Sequence, residues 1–465
     1  MIYGVFLCGG LVAPFALGLG YVWVDTFTPQ RIAYSILTDI PVSAIMAVAA
    51  IGAYVLMDRK APPRPGLIMI LIVMMFAWVT ITTTQFAVAP EMAWIKWNWA
   101  IKTIAFAAFM PFLFRSRIQI EAFLQIYVFS AAVQILPYGL KTVLSGGSYH
   151  ANLGLLSGNS GLAEGSTLST VAIMSVPILL WLRTNTLIMP GLKLVRLMYV
   201  GLALAAVSAS IGTQERTGLV AIVIVALALW LQSRYKLRWA IVGGAFCGLA
   251  AFVLINPNSD WAGRMSTITQ YDTESSTLGR ILVWQWTLDF VKTHPFGGGF
   301  NAFVVDIITF PAAAGDVPVT IHGKAFHSMY FEMLGEHGYF GLGLFLTLLG
   351  ATAATLIRIY RKCSRMAEME WCRDLARALL VSELILVVCG SFIGIAFQPE
   401  VYYLFALAAM LASHVRGVER VRAPGSALVL PEDVEFGSMG QFGAGARPPA
   451  YASFAPVPGE GRFAP

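Results

Sequence analysis

Charge is scarce in this chain. Only 12% of its residues are Asp, Glu, Lys or Arg, 57% are hydrophobic and the mean hydropathy is +0.71. Those proportions exclude the soluble protein of two or three domains that 465 residues would otherwise suggest. Cysteine is sparse as well: Cys8, Cys247, Cys363, Cys372 and Cys389 form an odd, scattered set with no CxxC. A disulfide framework and a cysteine zinc site are thereby excluded. A basic leader and a small-x-small cleavage site are missing, so the apolar run from Met1 is expected to be a first membrane helix and not a removed signal peptide. No internal repeat of the transporter kind is visible.

What is present is a series of apolar runs of about 17 to 25 residues. They predict an all-α polytopic membrane protein of twelve helices, near 3–24, 36–57, 66–84, 98–114, 119–140, 163–182, 197–211, 217–233, 238–255, 327–357, 377–397 and 400–415. With the N-terminus cytoplasmic, most of the 31 lysines and arginines fall on the inner side, as the positive-inside rule requires. The chain then divides into an N-terminal membrane region over 1–160 and a membrane core over 161–416. That core includes a large, partly helical outer loop at 256–326. A Pro-, Gly- and Ala-rich tail over 417–465 is expected to be disordered and cytoplasmic. The compartment expected for the outer loop is the periplasmic side of a bacterial inner membrane.

The stretch from Asn256 to Gly341 is the one long segment that turns polar and stays so, with Arg264, Arg280, His294, His322, His327 and His337. Arg280 and Trp284 share a face of a short amphipathic helix that Pro295 and three glycines stop. A guanidinium in a first helical turn suits an anion, although snorkelling to headgroups would also place it there. Arg216 stands in GTQERTG, a very short outer turn, where Glu215 could simply be its partner. Arginine forks match phosphate oxygens in pairs, so Arg216, Arg280 and Arg264 converging over a membrane would suit a diphosphate. Lys102, one turn inside the fourth helix, either snorkels or assists with an anionic donor. His327, where the loop re-enters the membrane, could be a general base or a plain hydrogen-bonded histidine. Ser328, Glu332 and Glu336 recur every four residues, and acids so close to the apolar zone must line a wet cavity or find a partner. Holding an arginine or the loop is the expected job of these acids. His322 and His327 lack further ligands at diagnostic offsets, so no metal and no cofactor are expected. Glu164 lies in a glycine-rich outer loop read as a flap.

The order of an arginine in a short outer turn, then RMSTITQYDTESSTLGRILVWQWTLDFVKTHPFGGGF, then FHSMYFEMLGEHGYFG resembles the O-antigen ligase and O-antigen polymerase superfamily over roughly 160–400. The shared elements are an arginine, a tryptophan four residues on, a P-x-G-x-G turn and a histidine leading into an E-x-G helix. The segment TPQRIAYSILTDIP looks like the exosortase A-associated O-glycosylation ligase subgroup, with TPQR where N-P-H-R is usual. The resemblance implies metal-independent transfer of a glycan from undecaprenyl diphosphate to an acceptor hydroxyl of lipid A core, protein or polysaccharide. It also implies that Arg216 and Arg280 bind the diphosphate and His327 activates the acceptor. Arg264, Lys102, Trp284 and Glu336 are the further candidates for substrate contact. A polymerase of the same superfamily and a flippase for a lipid-linked glycan are the alternatives; no nucleic-acid partner is expected.

Overall fold

The computed structural model describes residues 2–29, 40–58, 65–144, 161–189, 191–233, 235–237, 275–310 and 319–422. Arg264, the expected span 238–255 and most of the tail lie outside the described residues. Thirteen α-helices are present among them. They are α1 (Ile2–Val12), α2 (Pro14–Phe27), α3 (Val42–Met57), α4 (Leu67–Gln85), α5 (Pro90–Leu113), α6 (Arg117–Leu144) and α7 (Gly165–Asn185). The series continues with α8 (Lys193–Gly212), α9 (Arg216–Gln232), α10 (Ser275–Thr293), α11 (Met329–Cys363), α12 (Glu370–Cys389) and α13 (Pro399–Arg422).

Six of these, α4, α6, α7, α8, α11 and α13, are long and apolar enough to cross a membrane; α1, α3 and α9 are apolar but shorter. Their outer faces are greasy. Val5 and Leu11, Val48 and Val55, Ile70 and Val73, Leu194 and Leu204, and Val223 and Leu231 are all exposed, a surface that water would not tolerate but lipid does. The run expected to be one span at 3–24 is two helices, because proline cannot donate a backbone hydrogen bond and Pro14 instead starts α2. Pro90 likewise starts α5 earlier than the expected 98, which draws Trp94, Lys96 and Trp97 into the helix. Helix α7 is wrapped by α8, α9 and α12 and buries nearly its whole length.

The long polar loop is not purely helical where it is described. Between α10 and α11 it holds a two-stranded antiparallel sheet, β1 (Ile307–Phe310) on β2 (Val319–His322), with Ile307 opposite His322 and Phe310 opposite Val319. These short runs are rich in Ile, Val and Thr, which fit a pleated surface better than a helix.

One tertiary joint fixes this loop to the bundle. Helix α11 breaks at Gly338, whose φ is 67° and ψ −168°, so backbone groups on either side lose their helical partners. The PFGGG turn replaces them: Gly298 N–H donates to Gly335 O at 3.0 Å, Gly299 N–H to Glu336 O at 2.9 Å, and Tyr339 N–H to Pro295 O at 3.1 Å. Val88, just before α5, donates to Gly298 O at 2.8 Å and ties in the N-terminal helices. The backbones approach so closely that a Cβ on Gly297 would stand 2.4 Å from Glu336 O, and one on Gly338 2.2 Å from Pro295 O. Both glycines also have positive φ, which a side chain disfavours by about 1–2 kcal/mol before any clash.

Gly338→Ala and Gly297→Ala should therefore each lower the unfolding temperature sharply, with a loss beyond about 3 kcal/mol. Gly343→Ala, in the same helix but with open space around it, should be neutral or stabilising by up to about 1 kcal/mol. Thermal unfolding of the purified variants separates the two classes.

Candidate functional site

Beneath the joint lies a buried charge cluster. Glu332 and Glu336, one helical turn apart on α11, share the ammonium of Lys96 from α5: Nζ donates to Glu332 Oε1 at 2.6 Å and to the two oxygens of Glu336 at 2.8 and 2.9 Å. Like charges at i and i+4 repel, and the lysine between them turns repulsion into a bridge. The remaining oxygen capacity is taken by backbone. Asn301 N–H donates to Glu336 Oε1 at 2.9 Å and Ala396 N–H to Glu332 Oε2 at 3.1 Å. Phe300 and Phe397 close the cluster, with Nζ 5.5 and 5.1 Å from their ring centres. Next to it the buried His337 meets Thr82 Oγ1 at 2.6 Å through Nδ1, and its carbonyl accepts from Trp78 Nε1 at 2.9 Å.

Glu336, expected among the substrate-binding residues, is thus fully buried and occupied by Lys96 and Asn301. It fastens the turn after α10 to α11. Lys102 is half-buried on α5 and acts on Asp25, whose carboxylate accepts from Tyr403 Oη at 2.8 Å and Thr103 Oγ1 at 3.2 Å.

Above the cluster, at the start of α11, stands His327. Its backbone is left-handed, with φ 49°, and its side chain is exposed. The flanking residues hold it there: Met329 N–H donates to Gly390 O at 2.8 Å, and Trp284 Nε1 donates to Phe326 O at 2.8 Å. Trp284 also stacks on Phe331 with centroids 5.0 Å apart and planes 3° from parallel. Trp284 therefore positions the residue before His327, and Arg280, four residues earlier on the same face of α10, is carried toward the histidine. Lys324 approaches the same turn of α10. Its backbone N–H donates to Asp306 Oδ1 at 3.0 Å, and its side chain lies over Gly279, where a Cβ would meet Cε at 2.4 Å.

These neighbours set the proton affinity of His327. Partial loss of water around the imidazole, then the positive charges of Arg280 and Lys324, hold its pKa below the ordinary histidine value; Glu164 works in the opposite sense. Glu164 is fixed in place as the N-cap of α7, accepting from Ser166 N–H at 3.1 Å and Thr167 N–H at 2.6 Å. Burial pushes the carboxyl of Asp306 up, against the backbone N–H groups of Lys324 and Gly323 and the charge of Lys324.

Arg216 opens α9 at the same rim. The next residue, Thr217, accepts through its carbonyl from Cys389 Sγ at 3.5 Å, and Cys389 adjoins Gly390, the residue that holds Met329. Glu215 lies against Gly165, with Cγ 3.4 Å from where a Cβ would be, next to Glu164. The structure thus brings His327, Arg280 and Trp284 into one neighbourhood and sets Arg216 on adjoining backbone; Glu336 sits underneath and Lys102 faces Asp25. His294 is exposed and stacked on Phe290, away from this set.

Sequence reasoning missed Lys96 and Lys324. Lys96 lies in WIKWNW, where tryptophans mark an interface and a lysine reads as a headgroup contact. The available signal was arithmetic: two acids at the same membrane depth require a cation, and Lys96 is one of the few lysines at that depth.

Residues 201–346 match the O-Antigen ligase family, a span that contains Arg216, Arg280 and His327. Residues 1–187 match a family of unknown function (DUF5935). No curated protein matches the chain. The O-Antigen ligase match points to glycosyl transfer of the ligase or polymerase type, and with six apolar helices of spanning length the chain is a multi-pass membrane protein. The Lys96 bridge and the Glu164 contribution both cross from the first matched region to the second.

Removing Lys96 alone leaves two carboxylates buried without a counter-charge, so Lys96→Ala should cost about 3–5 kcal/mol. Combining Lys96→Met with Glu332→Gln and Glu336→Gln should recover much of that loss. Unfolding curves of the single and triple variants give the comparison, and equal stability of the single variant and the parent would remove the bridge from the account.

Proposed function

We propose that the chain is a metal-independent glycosyltransferase that moves a glycan from an undecaprenyl-diphosphate carrier to an acceptor hydroxyl at the periplasmic face of a bacterial inner membrane. The observation that carries the reading is the placement of Arg280 and Lys324, which meet at Gly279, beside a rim histidine whose proton affinity is lowered first by partial loss of water and then by these two cations. A base that is neutral near pH 7 and flanked by positive charge can take a proton from an alcohol while the same charges receive a phosphate leaving group. The O-Antigen ligase match over the same residues supports the class of reaction.

In this reading the acceptor oxygen attacks the anomeric carbon. The new C–O bond forms as the bond from that carbon to the diphosphate oxygen breaks, and the carrier leaves as undecaprenyl diphosphate. The hydroxyl proton passes to the imidazole of His327 and then to water. Arg280 and Arg216 neutralise the diphosphate as its charge grows, and Lys324 adds a point charge from the β2 side. Arg264 is assigned to the same anion by its place in the loop. The exosortase-associated subgroup is the proposed relative, and the acceptor hydroxyl belongs to lipid A core, protein or polysaccharide. A repeat-unit polymerase would use the same groups with a growing glycan as acceptor, and the product tells the two apart.

Reconstitution with a lipid-diphosphate glycan and candidate acceptors is the direct test. His327→Ala should lower transfer by about 10²–10⁴-fold and Arg280→Ala by about 10²–10³-fold, with folding retained. Arg216→Lys should keep part of the rate, since a point charge replaces a fork, and a chelator should leave the rate unchanged. Full transfer by purified His327→Ala ends the proposal.

The pH profile carries a sign. Protonation silences the base, so the rate should fall on the acid side through a pKa below the usual value of about 6.5. In Lys324→Gln one opposing positive charge is gone, imidazolium becomes easier to form, and that acid limb should move to higher pH. In Glu164→Gln a supporting negative charge is gone and the limb should move to lower pH. Limbs that stay in place in both variants would separate these residues from the proton transfer.

A further inference from the structure

At the foot of the β1–β2 hairpin lies a buried acid with no part in the transfer step. Asp306 directly precedes β1 and is fully buried. Ile307 pairs with His322, and one step further Gly323 N–H donates to the carbonyl of Asp306 at 3.4 Å. Lys324 N–H then donates to Asp306 Oδ1 at 3.0 Å. One residue therefore accepts from two successive amides where the chain leaves β2. Gly323 has φ 68°, a left-handed value that ends the strand and that glycine adopts without strain. Asp306 Oδ2 accepts no hydrogen bond among the described residues, so the carboxyl acts through Oδ1.

From that clamp the side chain of Lys324 runs to α10. Gly279 leaves the room for it: a Cβ there would stand 2.4 Å from Cε and 2.9 Å from Nζ of Lys324, and 3.1 Å from Phe310 Cζ. Phe310 and the buried Ile308 share a small core with Val283 of α10 and with Phe326. Apolar contact thus seats the hairpin, and Asp306 fixes how the backbone leaves it. Arg280 follows Gly279 in the chain, so the ammonium and the guanidinium are held at one turn of α10, and both act on His327. Two cations repel, and a lysine with free rotamers would turn away from the arginine unless its backbone were held.

We propose that Asp306 is a positioning residue of the rim: by accepting from the Gly323 and Lys324 amides it keeps the Lys324 ammonium beside Arg280 and His327. Its use rests on the glycosyl transfer proposed above, which calls for a neutral imidazole and for positive charge at the leaving group. The charged groups acting on His327 are Arg280 from α10, Lys324 from the turn after β2 and Glu164 from the start of α7; those acting on Asp306 are Lys324 and His322. Loss of the clamp and loss of the carboxylate charge work in opposite senses. Letting the ammonium leave makes imidazolium easier to form, whereas removing a negative charge makes it harder.

The test reads the imidazole itself and so stands apart from transfer activity. Diethyl pyrocarbonate modifies neutral imidazole, and peptide mass spectrometry of the purified full-length protein in detergent follows the pH midpoint of modification at His327, with the exposed His294 as internal reference. Asp306→Ala should raise that midpoint by about half a pH unit, which is roughly threefold slower modification on its acid side, in the same sense as Lys324→Gln. Asp306→Asn keeps the acceptor and should leave the midpoint in place. Adding Asp306→Ala to Lys324→Gln should move it no further. Gly279→Ala crowds the flexible end of Lys324 without touching the clamp and should raise the midpoint too, which carries the test if Asp306→Ala does not fold. A midpoint that follows this order while His327→Ala still transfers would keep the clamp and remove the transfer reading. An unmoved midpoint in the folded Asp306→Ala or in Gly279→Ala, a fall in Asp306→Asn, or additive shifts in the double variant overturns the positioning role.

Discussion

A single ammonium group beneath His327 decides how this molecule can be built. Lys96 lies among aromatic rings with two glutamates from another helix, in a place where none of the three charges could survive alone. Attraction at this depth roughly offsets the cost of taking the ions out of water, so the cluster adds little net stability over a well-packed apolar substitute. Its worth is specificity. Only one relative placement of α5, α11 and the turn after α10 satisfies Lys96, Glu332, Glu336, Asn301 and Ala396 together, and every other placement leaves a charge bare.

That constraint is passed upward by backbone. The break at Gly338 exposes amide and carbonyl groups that the three-glycine turn then satisfies, so the end of α10 cannot drift from the start of α11. Trp284 extends the tie to Phe326, and His327 follows in a left-handed conformation that ordinary loops avoid. Strain of about 1–3 kcal/mol at such a residue persists only where the surroundings over-determine it. Here they do, from both sides of the histidine.

Much of this was legible in the sequence, and the limits have physical reasons. The all-α membrane class follows from composition, and the grouping of Arg280 with His327 is an expectation carried by the resemblance, spacing alone placing Arg280 and Trp284 on one helix face. Helix ends were harder. Pro14 splits one apolar run because hydropathy averages over a window and does not register a missing N–H, whereas Pro90 extends α5 outward past residues that read as interface. The β1 and β2 pair went unseen because strands of four residues carry too short a pattern to count. Lys96 was hidden for another reason: its partners are about 240 positions away in the chain, and no local pattern announces a contact that only the fold creates. Glu336 was expected to hold an arginine or the loop. It does hold the loop, but the cation it found is a lysine from the other end of the protein.

The two matched regions acquire a physical relation from these contacts. A region of the O-Antigen ligase type holds the histidine and arginines of the rim, yet its two membrane acids share the single positive charge of Lys96, and the field at His327 includes Glu164, both supplied by the first 187 residues. An ordinary partner domain would touch the His327 rim only at its edge. This one contributes a counter-charge to the foundation and a carboxylate to the rim, so the proton affinity of His327 depends on both regions being assembled. The N-terminal region is therefore better understood as part of the same electrostatic unit than as an anchor, because separating the two would leave Glu332 and Glu336 without the cation of Lys96.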